Sequence, residues 1–253
     1  MSVLSLQNSI IYGPVRSRRL GASLGVNLLP RARKFCSFDC LYCQYGWTER
    51  HGLDLSERND LPSLDDVRRA VETALARDHA LDYITLAGNG EPTLHPKFAE
   101  IVDVVNALRD RHAVGVKTAI LSNSSTIGRW EIREAVGRLD EPIMKLDAGT
   151  ETGWRRFNRP CRGVQWEELI AGLEALEGPV LQSLFAHGEN GNTSPEEIMA
   201  WIGLVGRIRP RSVQVYTLDR PAPERSLEPV AVSQLEDIAR QAKEGAGVPV
   251  SVY

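Results

Sequence analysis

An α/β fold of parallel strands is predicted by three observations. Short β-type runs alternate with segments of helical periodicity along the whole 253-residue chain. Apart from a longer first gap, successive runs lie roughly one supersecondary unit apart, which implies parallel strands joined by right-handed crossovers. Each unusual motif falls just after a run or at its end, where parallel βα folds place their chemistry. Six such units make an open or partial barrel, or a doubly wound sheet.

The β-type runs are 23–28, 83–86, 117–121, 143–146, 180–185 and 213–217. After the first comes KFCSFDCLYCQYG (34–46), which puts Cys36, Cys40 and Cys43 within eight residues. A polar, irregular stretch over 47–62 follows and reads as a long loop near the same place. Leu64, Val67, Ala70, Val71, Ala74 and Leu75 then recur at helical spacing behind Ser63 and Asp66, a pair that resembles a capping box. The second run ends in AGNGEPT, and Phe98, Ile101, Val102, Val105 and Leu108 stripe the helix after it. SNSS follows the third run, ahead of weaker helical periodicity over 130–139. KLDAG ends the fourth, with another weak stripe over 166–176. Ser194 and Pro195 predict the cap and first position of a helix carrying Ile198, Trp201, Ile202 and Val205. YTLDRP ends the sixth run, and Ser233 with Glu236 is expected to open the last helix. No Gly-rich linker or compositional break divides the chain, so residues 1–253 read as a single domain.

Composition narrows the class. The apolar and charged fractions are those of an ordinary globular protein, and no run is long or apolar enough to span a bilayer. MSVLSLQNSIIYGPVRSRR has no charged lead before its apolar stretch and no small-residue cleavage site, so no signal peptide is expected. Three of the four cysteines crowd together, a poor disulfide framework. A reducing, cytoplasmic setting with a metal site or redox chemistry fits them better. The net charge of −3 excludes a polyanion binder as a whole. Even so, the first 38 residues hold no Asp or Glu but carry Arg16, Arg18, Arg19, Arg31, Arg33 and Lys34.

Three crowded thiols are one short of a structural zinc site and one more than a disulfide needs. Two readings stay open. One is zinc, completed by His51 or Cys161. The other is a four-iron cluster held at three corners, with one iron left for a ligand that is not protein. Glycines in Gly88–Glu91 suit close backbone approach to a bound group, or a plain strand-to-helix turn. Ser122–Ser125 reads as ligand-binding or as helix-capping. Lys145 and Asp147 alternate along a strand and so share one side, either the interior or the surface. Asp219 and Arg220 read equally as site residues or as a turn pair.

CSFDCLYCQYG resembles the cluster loop of the radical S-adenosylmethionine (SAM) superfamily, CxxxCxφC with an aromatic at φ, here Tyr42. LAGNGEPTLHP is similar to that superfamily's GGE motif, with Asn89 replacing a more usual small residue. YGPVRSRRLGASLGVNLLP, ILSNSS, KLDAG, FNRP and YTLDRP extend the resemblance, over nearly the full chain, to the wyosine-synthase-like branch. The resemblance implies a partial (β/α)6 barrel, the radical SAM core. It implies that Cys36, Cys40 and Cys43 hold a 4Fe–4S cluster whose fourth iron is chelated by the amino and carboxylate groups of SAM. Tyr42 would lie against the adenine, and Gly88, Asn89, Gly90 and Glu91 would offer backbone groups to the methionyl amine. Ser122, Asn123, Lys145 and Asp147 match positions that contact ribose, carboxylate or substrate. The implied enzyme is of radical SAM oxidoreductase or lyase type. An electron from the reduced cluster cleaves SAM to methionine and a 5′-deoxyadenosyl radical, which takes hydrogen from the substrate.

The implied partner is an electron donor such as flavodoxin or ferredoxin. Arg155, Arg156, Arg159 and Arg162, together with the N-terminal basic residues, suit a small anionic substrate, because Arg pairs bidentately with phosphate and carboxylate. The wyosine branch suggests tRNA modification as the alternative. The additional N-terminal cysteine set of wyosine synthases is absent here, however, and the chain is mildly acidic, both of which weigh against tRNA. A non-catalytic iron–sulfur or zinc protein is the rival from another class. Cys161 reads as a small buried hydrophobe.

Overall fold

The computed structural model describes residues 4–55, 59–77 and 80–253. Its centre is one eight-stranded sheet, made of β1 (Ile11–Ser17), β2 (Gly21–Val26), β3 (Tyr83–Leu86), β4 (Lys117–Ser122), β5 (Glu141–Lys145), β6 (Val180–Leu184), β7 (Ser212–Tyr216) and β8 (Val250–Val252). They lie side by side in chain order. β2 to β8 are parallel, and β1 is antiparallel to β2. The helices are α1 (Leu64–Leu75), α2 (Phe98–His112), α3 (Trp130–Gly137), α4 (Glu151–Asn158), α5 (Trp166–Ala175), α6 (Pro195–Ile208) and α7 (Val232–Ala246). No described helix is long and apolar enough to cross a membrane.

Strand order decides between the two architectures. A doubly wound sheet needs a point where the order reverses, and this one has none. With right-handed crossovers and a constant direction of travel, every helix falls on the same face and the sheet curls away from them. Among the described residues β1 and β8 remain unpaired edges, so the barrel is partial. All six expected strands are present and parallel. The two extra strands gave little local signal. β1 is a largely exposed edge carrying Pro14, and β8 is three residues long.

Alternation along the strands sorts the core. Ile84, Leu86, Ile120, Met144, Leu181, Val213 and Val215 face the helices, where they meet Val71, Ile101, Val105, Leu173, Trp201 and Ile238. The opposite parity fills the lumen. Ala119, Ile143 and Val180 pack with Leu20, Tyr83 and Leu121 into a separate plug. Nearer the carboxyl ends the lumen turns polar, with Gln182 Nε2 donating to Gln214 Oε1 at 3.0 Å, and Lys145 and Tyr216 closing β5 and β7. Leu20 sits in the turn of the β1–β2 hairpin. That turn also lays Arg19 over the Tyr216 ring at 4.6 Å and pairs Arg18 with Asp219, joining the β1–β2 hairpin to the end of β7.

Helix starts follow the expected chemistry with one exception. Ser63 Oγ accepts from Asp66 N at 3.1 Å while Asp66 Oδ2 accepts from Ser63 N at 3.2 Å, the predicted box. Ser194 caps α6 in the same way, accepting from Glu197 N at 3.3 Å ahead of Pro195. The last helix, by contrast, begins at Val232 behind Ala231, so Ser233 lies inside the first turn and no side chain caps it. α4 was not anticipated, because its eight residues carry too few apolar positions to show a stripe. The irregular stretch 47–62 contains a short strand, Arg50–His51, pairing in parallel with Phe35–Cys36; its residues 56–58 lie outside the described ones.

Candidate active site

The cysteine loop runs across the carboxyl ends of the strands and is clamped from three sides. Phe35 N donates to Asn89 O at 3.0 Å and Glu91 N to Phe35 O at 3.3 Å, which seats one stem on the GNGE turn. The opposite flank pairs with the segment Phe157–Cys161. Leu41 N donates to Phe157 O at 3.0 Å, Asp39 N to Asn158 O at 3.1 Å, and Cys161 N to Ser37 O at 2.8 Å. A left-handed Arg159, φ 45°, turns that segment out of α4 and along the loop. The third clamp is Lys34, buried to 5% exposure, whose Nζ donates to Gly46 O at 2.7 Å and so joins the two ends of the loop.

Two glycines make the first clamp possible. Gly90 has φ 145°, and a Cβ there would stand 1.7 Å from Phe35 O; Gly88, φ 156°, would place one 2.3 Å from Asn27 Oδ1. Phe35 O cannot retreat without breaking the seat of the loop, and Asn27 Oδ1 is held by Asn89 N at 3.0 Å. Gly90→Ala is therefore expected to destabilise the protein by about 3 kcal/mol or more in urea unfolding. Asn89, between them, turns its side chain away from the loop. Its Oδ1 accepts from Gln7 N at 2.7 Å, and its Nδ2 donates to Gln7 O at 2.8 Å and Pro30 O at 2.9 Å.

Glu91 ties this turn to the loop after β4. Its buried carboxylate accepts from Asn123 N at 2.6 Å, Thr93 Oγ1 at 2.7 Å, Ser122 Oγ at 2.9 Å and Thr93 N at 3.1 Å. Burial still holds its pKa above the ordinary carboxylate value, against those bonds. Ser122 also accepts from Ser124 N at 3.0 Å, so its hydroxyl is fully engaged. Asn123 points inward, with Nδ2 donating to Ser37 Oγ at 2.9 Å and Cys36 Sγ at 3.4 Å.

Lys145 and Asp147 face the interior, as one of the two sequence readings required. Their Nζ and Oδ1 stand 2.8 Å apart, with Asp147 only 1% exposed. Asp147 also accepts from Leu184 N at 2.8 Å, from Asn158 Nδ2 at 2.9 Å and from Tyr42 Oη. Lys145 donates to Tyr216 Oη at 2.8 Å and lies over the rings of Tyr216 and Tyr42, at 4.7 and 5.1 Å. Burial works against its charge, but Asp147 and Tyr216 together outweigh that and raise its pKa. The Tyr42 phenol is pushed well above its usual value by burial and then by Asp147.

Burial raises the Cys40 thiol to about 12 and the Cys36 thiol further still. At neutral pH such thiols hold their protons unless a metal displaces them. Among the described residues no three His, Cys, Asp or Glu side chains converge closely enough to hold a single ion. His51 Nε2 instead stands 3.8 Å from Asp39 Oδ2, and Cys161 is buried in the main core. Three separated sulfurs on one loop fit a group with several metal corners better than a mononuclear ion. A buried acceptor beside them, Asn158 Oδ1, has no hydrogen-bond partner among the described residues and fits a donor supplied by a bound molecule.

The radical SAM superfamily model matches residues 33–178, and the chain belongs to that superfamily. The superfamily's cofactors are a 4Fe–4S cluster and SAM. Over 236 residues the chain is 31% identical to UPF0026 protein MJ1312 of Methanocaldococcus jannaschii, covering 91% of this chain and 70% of that protein. Among solved structures, Streptococcus suis SuiB bound to S-adenosylmethionine aligns with a TM-score of 0.63 at 14% identity, over 90% of this chain and 50% of SuiB. TYW1 with a lysine–pyruvate adduct bound aligns at 0.56 and 14%, over 88% and 73%. At such identities these two likenesses concern the fold alone, and this chain spans half of SuiB.

Sequence reasoning passed over several residues of this mouth. Asn158 lies in the quoted FNRP and Tyr216 begins YTLDRP, so both carried a signal. Asn27, which accepts from Asn89 N at 3.0 Å, likewise lies in the quoted YGPVRSRRLGASLGVNLLP, whereas Gln7, which holds the Asn89 side chain, carried none.

Proposed function

We propose that this chain is a radical SAM enzyme of oxidoreductase or lyase type, with a small anionic substrate, in which Cys36, Cys40 and Cys43 hold a 4Fe–4S cluster. The observation that carries this reading is the placement of three thiols on one clamped loop at the carboxyl mouth of a partial barrel. When bound, the cluster and SAM supply reductive cleavage of the sulfonium, giving a radical that takes a hydrogen atom from the substrate. The chain's own residues bind and orient. Gly88, Asn89, Gly90 and Glu91 offer backbone groups to the methionyl amine, Asn89 through its main chain only, because its side chain is engaged elsewhere. Tyr42 offers a ring to the adenine. Ser122 and Glu91 hold the β4 loop so that Asn123 reaches the cluster side. Lys145, paired with Asp147 and hydrogen-bonded to Tyr216, presents an ammonium to a carboxylate of SAM or of the substrate. The free cysteines suit a reducing, cytoplasmic setting.

Anaerobic reconstitution tests the reading. Iron and sulfide should be retained, and dithionite with SAM should yield methionine and 5′-deoxyadenosine. Colourless protein that takes up zinc instead would overturn it.

The electron donor is a low-potential, acidic protein such as flavodoxin or ferredoxin, docking on arginines beside the loop. Arg159 stacks on the exposed Trp47 at 5.0 Å, while Arg155 pairs with Glu151 at 2.6 Å. Arg155→Ala with Arg159→Ala should slow reduction by flavodoxin several-fold at low salt and leave dithionite reduction unchanged. Equal rates with both reductants would leave the arginines a solvated edge.

A further inference from the structure

Two sulfurs of the loop each have a side-chain donor, and the two donors come from different parts of the chain. Cys36 Sγ accepts from Asn123 Nδ2 at 3.4 Å and from Phe38 N at 3.5 Å. Cys40 Sγ accepts from Asn158 Nδ2, also at 3.4 Å, at the end of α4. Lys34, two residues before Cys36, sends its Nζ to Gly46 O, three residues past Cys43, at 2.7 Å.

Lys34 is the unusual member. A buried ammonium is costly unless an opposite charge compensates it. Lys34 is only 5% exposed and, among the described residues, forms no ion pair with a carboxylate, while the loop that its Nζ closes carries all three thiols. Neutral thiols compensate a cation poorly, whereas thiolates bound to metal compensate it well. The charge on Lys34 therefore makes physical sense with a loaded loop. Its Gly46 bond explains the loop closure, but a neutral donor would close the loop as well.

We propose that Lys34, assisted by Asn123 and Asn158, sets the reduction potential of the cluster held by this loop, making it easier to reduce than the same cluster without them. This inference rests on the cluster reading above. Reduction is the transfer of one electron from a low-potential donor, a flavoprotein or dithionite, to the cluster; the donor is oxidised, and no covalent bond need form or break. The added negative charge spreads over the sulfurs, so donors aimed at them stabilise the reduced form more than the oxidised one. A full charge does this more strongly than an amide dipole, so Lys34 ranks above the two asparagines.

The test is a dye-mediated redox titration of the reconstituted full-length protein, followed by the EPR signal of the reduced cluster. Lys34→Met should lower the reduced-to-oxidised ratio at a fixed potential about tenfold, a shift of about 59 mV to more negative potential for a one-electron couple. Asn158→Leu should move it the same way by a smaller factor, and Lys34→Arg should lie nearer wild type than Lys34→Met. If Lys34→Met retains full iron and sulfide and its midpoint coincides with wild type, Lys34 is only a strut and the inference fails. Should that variant assemble too little cluster to titrate, Asn158→Leu decides, and an unmoved midpoint there overturns the proposal equally. Wild-type protein that assembles no cluster would sink the reading beneath it, a result distinct from an unmoved midpoint.

Discussion

Cys40→Ala is expected to come out of anaerobic reconstitution without its iron and sulfide, and to form 5′-deoxyadenosine only at background level. The cause is local. Cys40 lies mid-loop, receives Asn158 Nδ2 at 3.4 Å, and its backbone accepts the turn bond from Cys43 N at 3.1 Å. Removing one of three thiolates would leave a cubane held by protein at two corners only, with the other two open to solvent and exchange. Cys161→Ser supplies the contrast. Cys161 is buried among apolar side chains, so a hydroxyl there should cost stability of about 1 kcal/mol while iron and sulfide stay at wild-type level. A zinc site completed by Cys161 predicts the opposite for that second variant. Iron and acid-labile sulfide analysis with the visible absorption spectrum reads both outcomes, and a Cys40→Ala protein that keeps full iron and sulfide would remove Cys40 from the ligand set.

Asp147→Ala should produce the largest loss of stability among single changes at the mouth. Asp147 is almost wholly buried and serves Lys145, Leu184 N, Asn158 and Tyr42 at once. Its removal leaves a buried ammonium without its counter-charge and a backbone N–H without an acceptor, at a cost of about 3–5 kcal/mol. Lys145→Met added to Asp147→Ala should recover part of that loss, because the double variant no longer buries a lone charge. Urea unfolding of the two singles and the double gives the coupling directly. Additive losses would mean that the two charges do not interact across their 2.8 Å separation.

Legibility in the sequence followed the range of the physics. The capping box at Ser63 and Asp66 spans one helical turn and is decided by neighbours, so it was readable. The parallel strands were readable because β-type runs and helical stripes repeat locally. Ser233 misled because hydroxyl residues near a helix start cap it only with the right backbone, and Ala231 holds that position instead. The GNGE turn was legible as a motif, yet the motif did not reveal that Asn89 faces Gln7 or that Glu91 holds the end of β4 and its loop by two hydrogen bonds. Nor did it reveal the seat of the cysteine loop on Phe157–Cys161, a pairing across more than a hundred residues.

By itself, the sequence determined the parallel α/β architecture and the identity of the three thiols, because periodicity and a contiguous CxxxCxxC loop are local properties of a chain. The tertiary structure alone decided that the sheet is singly wound, that Lys145 and Asp147 face inward, and that Asn123 and Asn158 each serve a different sulfur. Those facts depend on which distant segments pack together, and that is fixed by the summed burial and hydrogen bonding of the whole fold rather than by the spacing of neighbours.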